Sequence, residues 1–195
     1  TIRARPGQVL ALVNGREIKV EDVWPVGGLS ATNALEVSPE TYQYFLDRAV
    51  NRELIFQTAR ETGLKLNESQ RAELARLRAA RRQAEPGQVT RLNVDPAQEE
   101  FELRDAEAFM LQTSLLAAKG ASPNVTEEQM MSYYRDHAAD FGGLPTDPSE
   151  RKEAWSQISF QIRERLAKQT RASFNEQLTA YMNEMKSKAT IVVNQ

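Results

Sequence analysis

The chain has 195 residues, 27% of them charged, with a net charge of −2 and no cysteine. That length can bury a real core, as one ordinary domain or two small ones, and the near-balanced charge carries no bias toward nucleic acid or a membrane surface. No apolar run approaches the roughly 20 residues that span a bilayer, and the lack of cysteine rules out disulfides, thiol nucleophiles and cysteine-based metal sites. The sequence opens at Thr1 without a signal-like segment, as expected of a mature form.

In chain order, residues 1–7 are polar and read as a loose lead-in. Val9–Val13 is a short apolar run that ends at Asn14-Gly15, the strongest two-residue hairpin signal. Residues 16–20 are then a return strand or an extended approach to a short helix over 21–24, broken by Pro25 and Gly27-Gly28. Residues 31–37 form a connection with no clear period. Ser38-Pro39-Glu40 supplies a cap and a first-turn proline, and the helix it starts should run to about Thr62 and stop at Gly63. Its apolar residues Tyr42, Phe45, Leu46, Ala49, Val50, Leu54, Ile55, Phe56 and Ala59 cover more than one face, which predicts a central helix packed on two sides. Asn67 caps another helix that reaches about Ala84 and ends at Glu85-Pro86-Gly87. Asp95-Pro96 starts the next, which carries Phe101, Leu103, Ala106, Phe109, Met110, Leu111 and Leu115 before Gly120 ends it.

The second half is organised around residues 125–155. Thr126 and Gln129 stand at capping-box spacing, and the helix they open is expected to run unbroken to Phe141. At about 100° per residue, Met130, Tyr133, Tyr134, His137 and Phe141 share an arc of about 100°, while Glu128, Arg135 and Asp136 lie opposite. Two Gly and two Pro within residues 142–148 end that helix, and Asp147, Pro148 and Glu150 start the last one. It should run to about Lys188, roughly 60 Å at 1.5 Å per residue. Its stripe is Trp155, Ile158, Ile162, Leu166, Thr170, Phe174, Leu178, Tyr181 and Met185. The mean step of about 3.75 residues exceeds 3.5, so the stripe predicts a long helix laid on a helical core and disfavours a left-handed coiled coil. Ile191-Val192-Val193 is a β-branched strand that needs a partner. Val9–Val13 is the candidate, so the termini are expected to pair, with Leu10 beside Val192.

Three sets of residues have chemical potential, each with a plainer alternative. His137, the lone histidine, could carry a proton or be a packed or half-exposed helix residue, and without cysteine a zinc site would need three carboxylates, which is unusual. No nucleotide-binding, calcium-loop or metalloprotease motif accompanies it, so no cofactor or metal is implied. Arg71, Arg78 and Arg82 fall within about 40° of each other at helical spacing, with Arg76 and Arg81 nearby. They could bind an anionic partner or an acidic segment, or simply form a solvated face partly neutralised by Glu68, Glu73 and Glu85. No aromatic residues interleave with them, which argues against nucleic acid. Met130, Met131, Tyr133, Tyr134, Phe141 and Trp155 would form a peptide-binding patch if exposed, since methionine adapts its shape to varied partners. Buried, they would be ordinary core.

Four stretches in order resemble the SurA-like family of peptidyl-prolyl isomerase chaperones, which includes the PpiD and PrsA types. Residues 9–18, Val-Leu-Ala-Leu-Val-Asn-Gly-Arg-Glu-Ile, resemble its opening strand. Leu46, Arg52, Glu53, Leu54, Ala59, Gly63 and Leu64 resemble its first long helix. Val125-Thr126-Glu127-Glu128-Gln129 with Tyr133, Tyr134, His137 and Phe141 resembles the segment leading into the parvulin domain, and residues 188–194 resemble the closing strand. Where the parvulin domain would be inserted, residues 142–148 form only a tight loop. The resemblance implies a mainly α fold, a single helical chaperone domain over 1–195 with a long C-terminal helix and a small β pair joining the terminal strands. It implies a periplasmic or envelope holdase for unfolded or nascent polypeptides, without isomerase activity. The alternative is a non-catalytic assembly subunit that binds one dedicated partner or itself, by element swapping for example.

Overall fold

Asn14 and Gly15 take positive φ values of 50° and 83°, the two left-handed residues that the tightest hairpin turn needs. They join β2 (Val9–Val13) to β3 (Arg16–Lys19) in the computed structural model, which describes residues 1–24, 35–82 and 96–194. The remaining elements are β1 (Ile2–Ala4), α1 (Val20–Val23), β4 (Leu35–Val37), α2 (Pro39–Glu61), α3 (Glu68–Arg82), α4 (Pro96–Ala117), α5 (Glu127–Asp136), α6 (Ala138–Phe141), α7 (Pro148–Lys188) and β5 (Ile191–Val193). The fold is mainly helical, with a long C-terminal helix and an antiparallel sheet that joins the terminal strands, as the sequence predicts. The breaks expected at Pro25, Gly27-Gly28 and residues 84–87, and the cap at Asp95, lie outside the described residues.

The terminal pairing is real, but its register differs from the expected one. β2 lies between β3 and β5, and Leu12, rather than Leu10, stands opposite Val192. Asn14 sets this register. Its backbone N–H donates to the Thr190 carbonyl at 2.8 Å, and its Oδ1 accepts from the Thr190 N–H at 2.8 Å. With Thr190 pinned opposite Asn14, the ladder pairs Val13 with Ile191 and Leu12 with Val192. A second, two-stranded sheet pairs β1 with β4 where the sequence reads as loose lead-in and connection. Three-residue strands are too short for an alternating pattern to be visible.

Helix starts follow their capping chemistry. Ser38 Oγ accepts from the Thr41 N–H at the head of α2, and Thr126 and Gln129 close a reciprocal capping box at α5. Gly63 and Gly120, at φ 68° and 85°, follow the ends of α2 and α4. The helix expected to run from Thr126 to Phe141 is instead two. His137 leaves helical geometry at φ −128° and ψ 27°. Its N–H is shared between the Tyr133 and Tyr134 carbonyls, and its ring Nδ1 sits 3.0 Å from the Tyr133 carbonyl. The ring also stacks on Tyr133, with centroids 4.1 Å apart. The ring is thus held against the preceding turn at the residue where the helix breaks.

The described residues divide into two compact units, Thr1–Leu115 with Met182–Gln195, and Leu116–Tyr181. In the first, α2 is the centre. Leu46, Ala49, Val50, Leu54, Ile55 and Ala59 are buried around most of its circumference, as a helix packed on more than one side requires. The tail of α7 is fastened there: Thr58 donates to Met185 Sδ, Gln112 to Met182 Sδ, and Lys186 pairs with Asp47. In the second unit, Leu116, Ala121, Met130, Ile162, Phe174 and Tyr181 form the core. The stripe predicted along α7 faces inward, with Ile162, Phe174, Tyr181 and Met185 buried and its other members half-buried.

Candidate functional site

In the second unit the structure gathers most of the residues singled out as a peptide-binding patch. Tyr134 meets the edge of Trp155, with centroids 5.8 Å apart and planes at 81°, and Phe141 lies 6.2 Å from Tyr133 and 6.3 Å from Tyr134. Arg165 covers Phe141, its Cζ 5.0 Å from the ring. These contacts are edge-on or tilted, the arrangements that ring quadrupoles favour, so the rings satisfy one another. Tyr134 also donates from Oη to the Gly142 carbonyl at 3.1 Å, at the first residue of the connection between α6 and α7. Arg151 donates to the Pro145 and Thr146 carbonyls at its far end. Asp147 caps α7, accepting from the Ser149 hydroxyl and from the N–H groups of Ser149 and Glu150. The Ser149 hydroxyl first, then those two N–H groups, hold the Asp147 carboxyl below its ordinary value. The aromatic cluster therefore clamps a six-residue loop.

The six residues do not share one environment. Met130 is 4% exposed and belongs to the core of its unit, whereas Met131 is 41% exposed. Tyr133, Tyr134, Phe141 and Trp155 are half-buried, and His137 is exposed beside Tyr133. Beyond Tyr133, α5, α7 and the turn after Gly120 border a groove of about 470 Å³. Uncharged amides and hydroxyls, among them Thr126, Gln129, Ser132 and Thr170, share its walls with Asp136 and the apolar Leu166 and Phe174.

The larger cleft lies in the first unit, at α2, α3 and α4, with a volume of about 790 Å³. Apolar side chains from all three helices and from the loop after α2 line it: Phe56, Leu64, Leu66, Leu74, Leu103 and Leu111. α3 is seated lightly. Through residues 68–80 it has no fully buried side chain, and Leu74 and Leu77 remain half-buried. An amphipathic helix ordinarily spends its apolar stripe on its own core, so α3 keeps apolar surface in hand. Its start is nonetheless anchored. Asn67 and Gln70 cap it reciprocally, and Gln70 Nε2 reaches Ser114 Oγ at 2.9 Å and the Met110 carbonyl at 3.3 Å.

A charged wall backs this cleft. Glu53 is 3% exposed, and its carboxylate is fully occupied. Oε2 meets Arg16 Nε at 3.0 Å, and Oε1 accepts from Arg60 Nη2 and Gln57 Nε2, each at 3.0 Å. The neighbouring Arg52, 6% exposed, donates to Asp105 Oδ1 at 2.6 Å and to the Asp22 carbonyl. Arg48 takes the other Asp105 oxygen, and Arg104 pairs with Asp22. Burying ions demands this kind of complete pairing. The sequence shows Arg52-Glu53 as an ordinary charged pair; only the helix's burial on several faces hints that one of its charged turns must go inside.

Of the arginines on α3, Arg71 and Arg78 both line the cleft, so the shared face read from helical spacing points into it. Arg76 does not; it pairs with Glu73 on the same helix. Arg81 and Arg82 end α3, with side chains outside the described part. The lining residues Arg16, Glu53, Phe56, Arg60 and Leu64 carry no shared signal in the sequence, because one α2 face meets β3 and the loop after α2 only in the fold. Among the described residues, no group of three or more His, Asp or Glu side chains could hold a metal ion, and no helix is long and apolar enough to cross a membrane.

No protein-family model matches the chain, and no curated protein sequence matches it.

Proposed function

We propose that this chain is a non-catalytic holdase of the cell envelope, which binds unfolded or partly folded polypeptides and shields them from aggregation. The observation that carries the reading is the open cleft of the first unit, of about 790 Å³, where α3 leaves its leucines half-buried beside Phe56, Leu103 and Leu111. Surface of that kind suits extended or helical segments with exposed apolar side chains, which is what an unfolded client presents. The sequence resemblance to SurA-like chaperones supports the same class and the envelope as its compartment. The six-residue connection between α6 and α7 fits a chaperone module without the catalytic insertion.

Affinity should be in the micromolar range, because ordering a flexible client offsets much of the contact energy. The test is light scattering from two unrelated unfolded proteins with and without the chain. Suppression of both at near-stoichiometric ratios is the expected result, together with no acceleration of prolyl isomerisation. Suppression of neither, with nanomolar binding to one partner alone, would make the chain a dedicated assembly subunit instead.

A further inference from the structure

We propose that the cleft of the first unit selects acidic amphipathic segments of client polypeptides, seating apolar side chains on its floor and carboxylates on Lys65, Arg71 and Arg78. The inference rests on the holdase reading and names the kind of segment that the site prefers.

Charge complementarity carries it. Six cationic side chains line the cleft against three carboxylates, an excess of positive charge inside a chain whose net charge is −2. The cations fall into two groups. Arg16 and Arg60 are committed to Glu53, and Arg104 to Asp22. On the opposite side, Arg78 has only a loose contact with Glu100 at 3.8 Å. Lys65 and Arg71 are exposed and have no ion pair among the described residues. Thus the wall that belongs to the core is neutralised, while the edge built from α3 and the loop before it sets three cations against Glu100 and Glu107 of α4 and keeps a positive excess.

The two features act on one ligand. Leu64 and Leu66 flank Lys65 in sequence, and Leu74 lies one turn beyond Arg71, so cation and apolar contact alternate along the same edge. A basic segment would place its charge against this edge and be repelled. A segment with glutamates around an apolar stripe would meet both complements, and the guanidinium of Arg71 can take a carboxylate with two parallel hydrogen bonds. Ion pairs at the rim contribute more to selection than to affinity, which is what a holdase with broad but biased clients needs.

The experiment uses the full chain and three fluorescein-labelled peptides about four turns long, with an identical Leu/Phe stripe and Glu, Gln or Lys at every other position. Fluorescence anisotropy is expected to rank them Glu, Gln, Lys, with at least a tenfold spread between the first and the last that shrinks as salt rises. The double variant K65E/R71E alters two exposed side chains and should fold normally by circular dichroism. It should weaken the Glu peptide by about tenfold and strengthen the Lys peptide. Equal binding of all three peptides, unchanged in the variant, would overturn the acidic selectivity and leave the holdase reading standing. No binding of any peptide would remove the holdase reading itself. Sedimentation of both proteins at the assay concentrations adds a further arm. A dimer that K65E/R71E dissociates would assign the cleft to a second copy of the chain and overturn the proposal.

Discussion

The two units dispose of their charged and aromatic side chains differently. In the first, charges are drawn inside and paired, with Glu53 and Arg52 almost wholly buried, and a cleft lined by both apolar and cationic side chains is left open. In the second, the aromatic side chains that look like a binding patch in the sequence turn on one another, and the groove beside them is smaller and carries Asp136 but, among the described residues, no cation in its walls. The difference teaches that a cluster of rings in a sequence is not evidence of an accessible apolar surface. Rings close together in the chain can stack on each other and fasten a loop, whereas open apolar surface arises where elements distant in sequence meet without filling the space between them.

The sharpest way to break this comparison is to disturb the paired charges behind the cleft. Removing both Arg16 and Arg60 with alanine leaves the Glu53 carboxylate buried with only Gln57 as a partner, and should cost about 3–5 kcal/mol of stability in denaturant unfolding. Glu53→Leu should cost much less, since both guanidinium groups it releases are about half exposed and water can solvate them. Equal costs for the two variants would mean that Glu53 is not the buried member of the network.

A smaller effect separates clamp from binding surface in the second unit. Tyr134→Phe deletes the hydrogen bond to the Gly142 carbonyl and should lower stability by about 0.5–1 kcal/mol, at the low end because the bond is exposed. Phe141→Ala should leave affinity for the acidic peptide within about twofold, because Phe141 does not line the cleft. A large loss of peptide binding in Phe141→Ala would return the aromatic cluster to the binding surface and weaken the contrast between the units.

The smallest expected effect concerns pH. The Asp147 carboxyl is held below its ordinary value of 3.8 by the cap it forms at the start of α7. Because the folded value is the depressed one, its contribution is fully present above 3.8 and fades as pH falls through the folded value. Thermal melts between pH 6 and the acid limb should therefore show Asp147→Asn, which keeps an acceptor that does not titrate, losing less of its melting temperature on acidification than the parent. Parallel pH profiles for the two proteins would remove Asp147 from the acid response.

Local chemistry made much of the fold legible. Ser38 with Pro39, Asn67 with Gln70 and Thr126 with Gln129 each start a helix at the residue their spacing names, and Asn14-Gly15 makes its hairpin. The long period of the α7 stripe correctly marked its inward face. Two of the three cations on the cleft's open edge were also legible, since the shared face of Arg71 and Arg78 follows from helical geometry alone. Less visible was anything set by competition between near-equal local states. His137 stands where helical periodicity continues, yet its backbone leaves helical geometry, with its ring held against Tyr133.

By itself, then, the sequence determined where helices begin, where the hairpin turns and which stripe of α7 goes inward. Each of these depends on side chains within a turn or two of the backbone groups they satisfy. Only the tertiary structure decided the strand register, the burial of Glu53 and Arg52, and the cleft. Register came from Asn14 meeting Thr190, 176 residues away in the chain. The cleft came from the way α2, α3 and α4 leave space between them, and the surface that a helix fails to bury depends on what its neighbours fill.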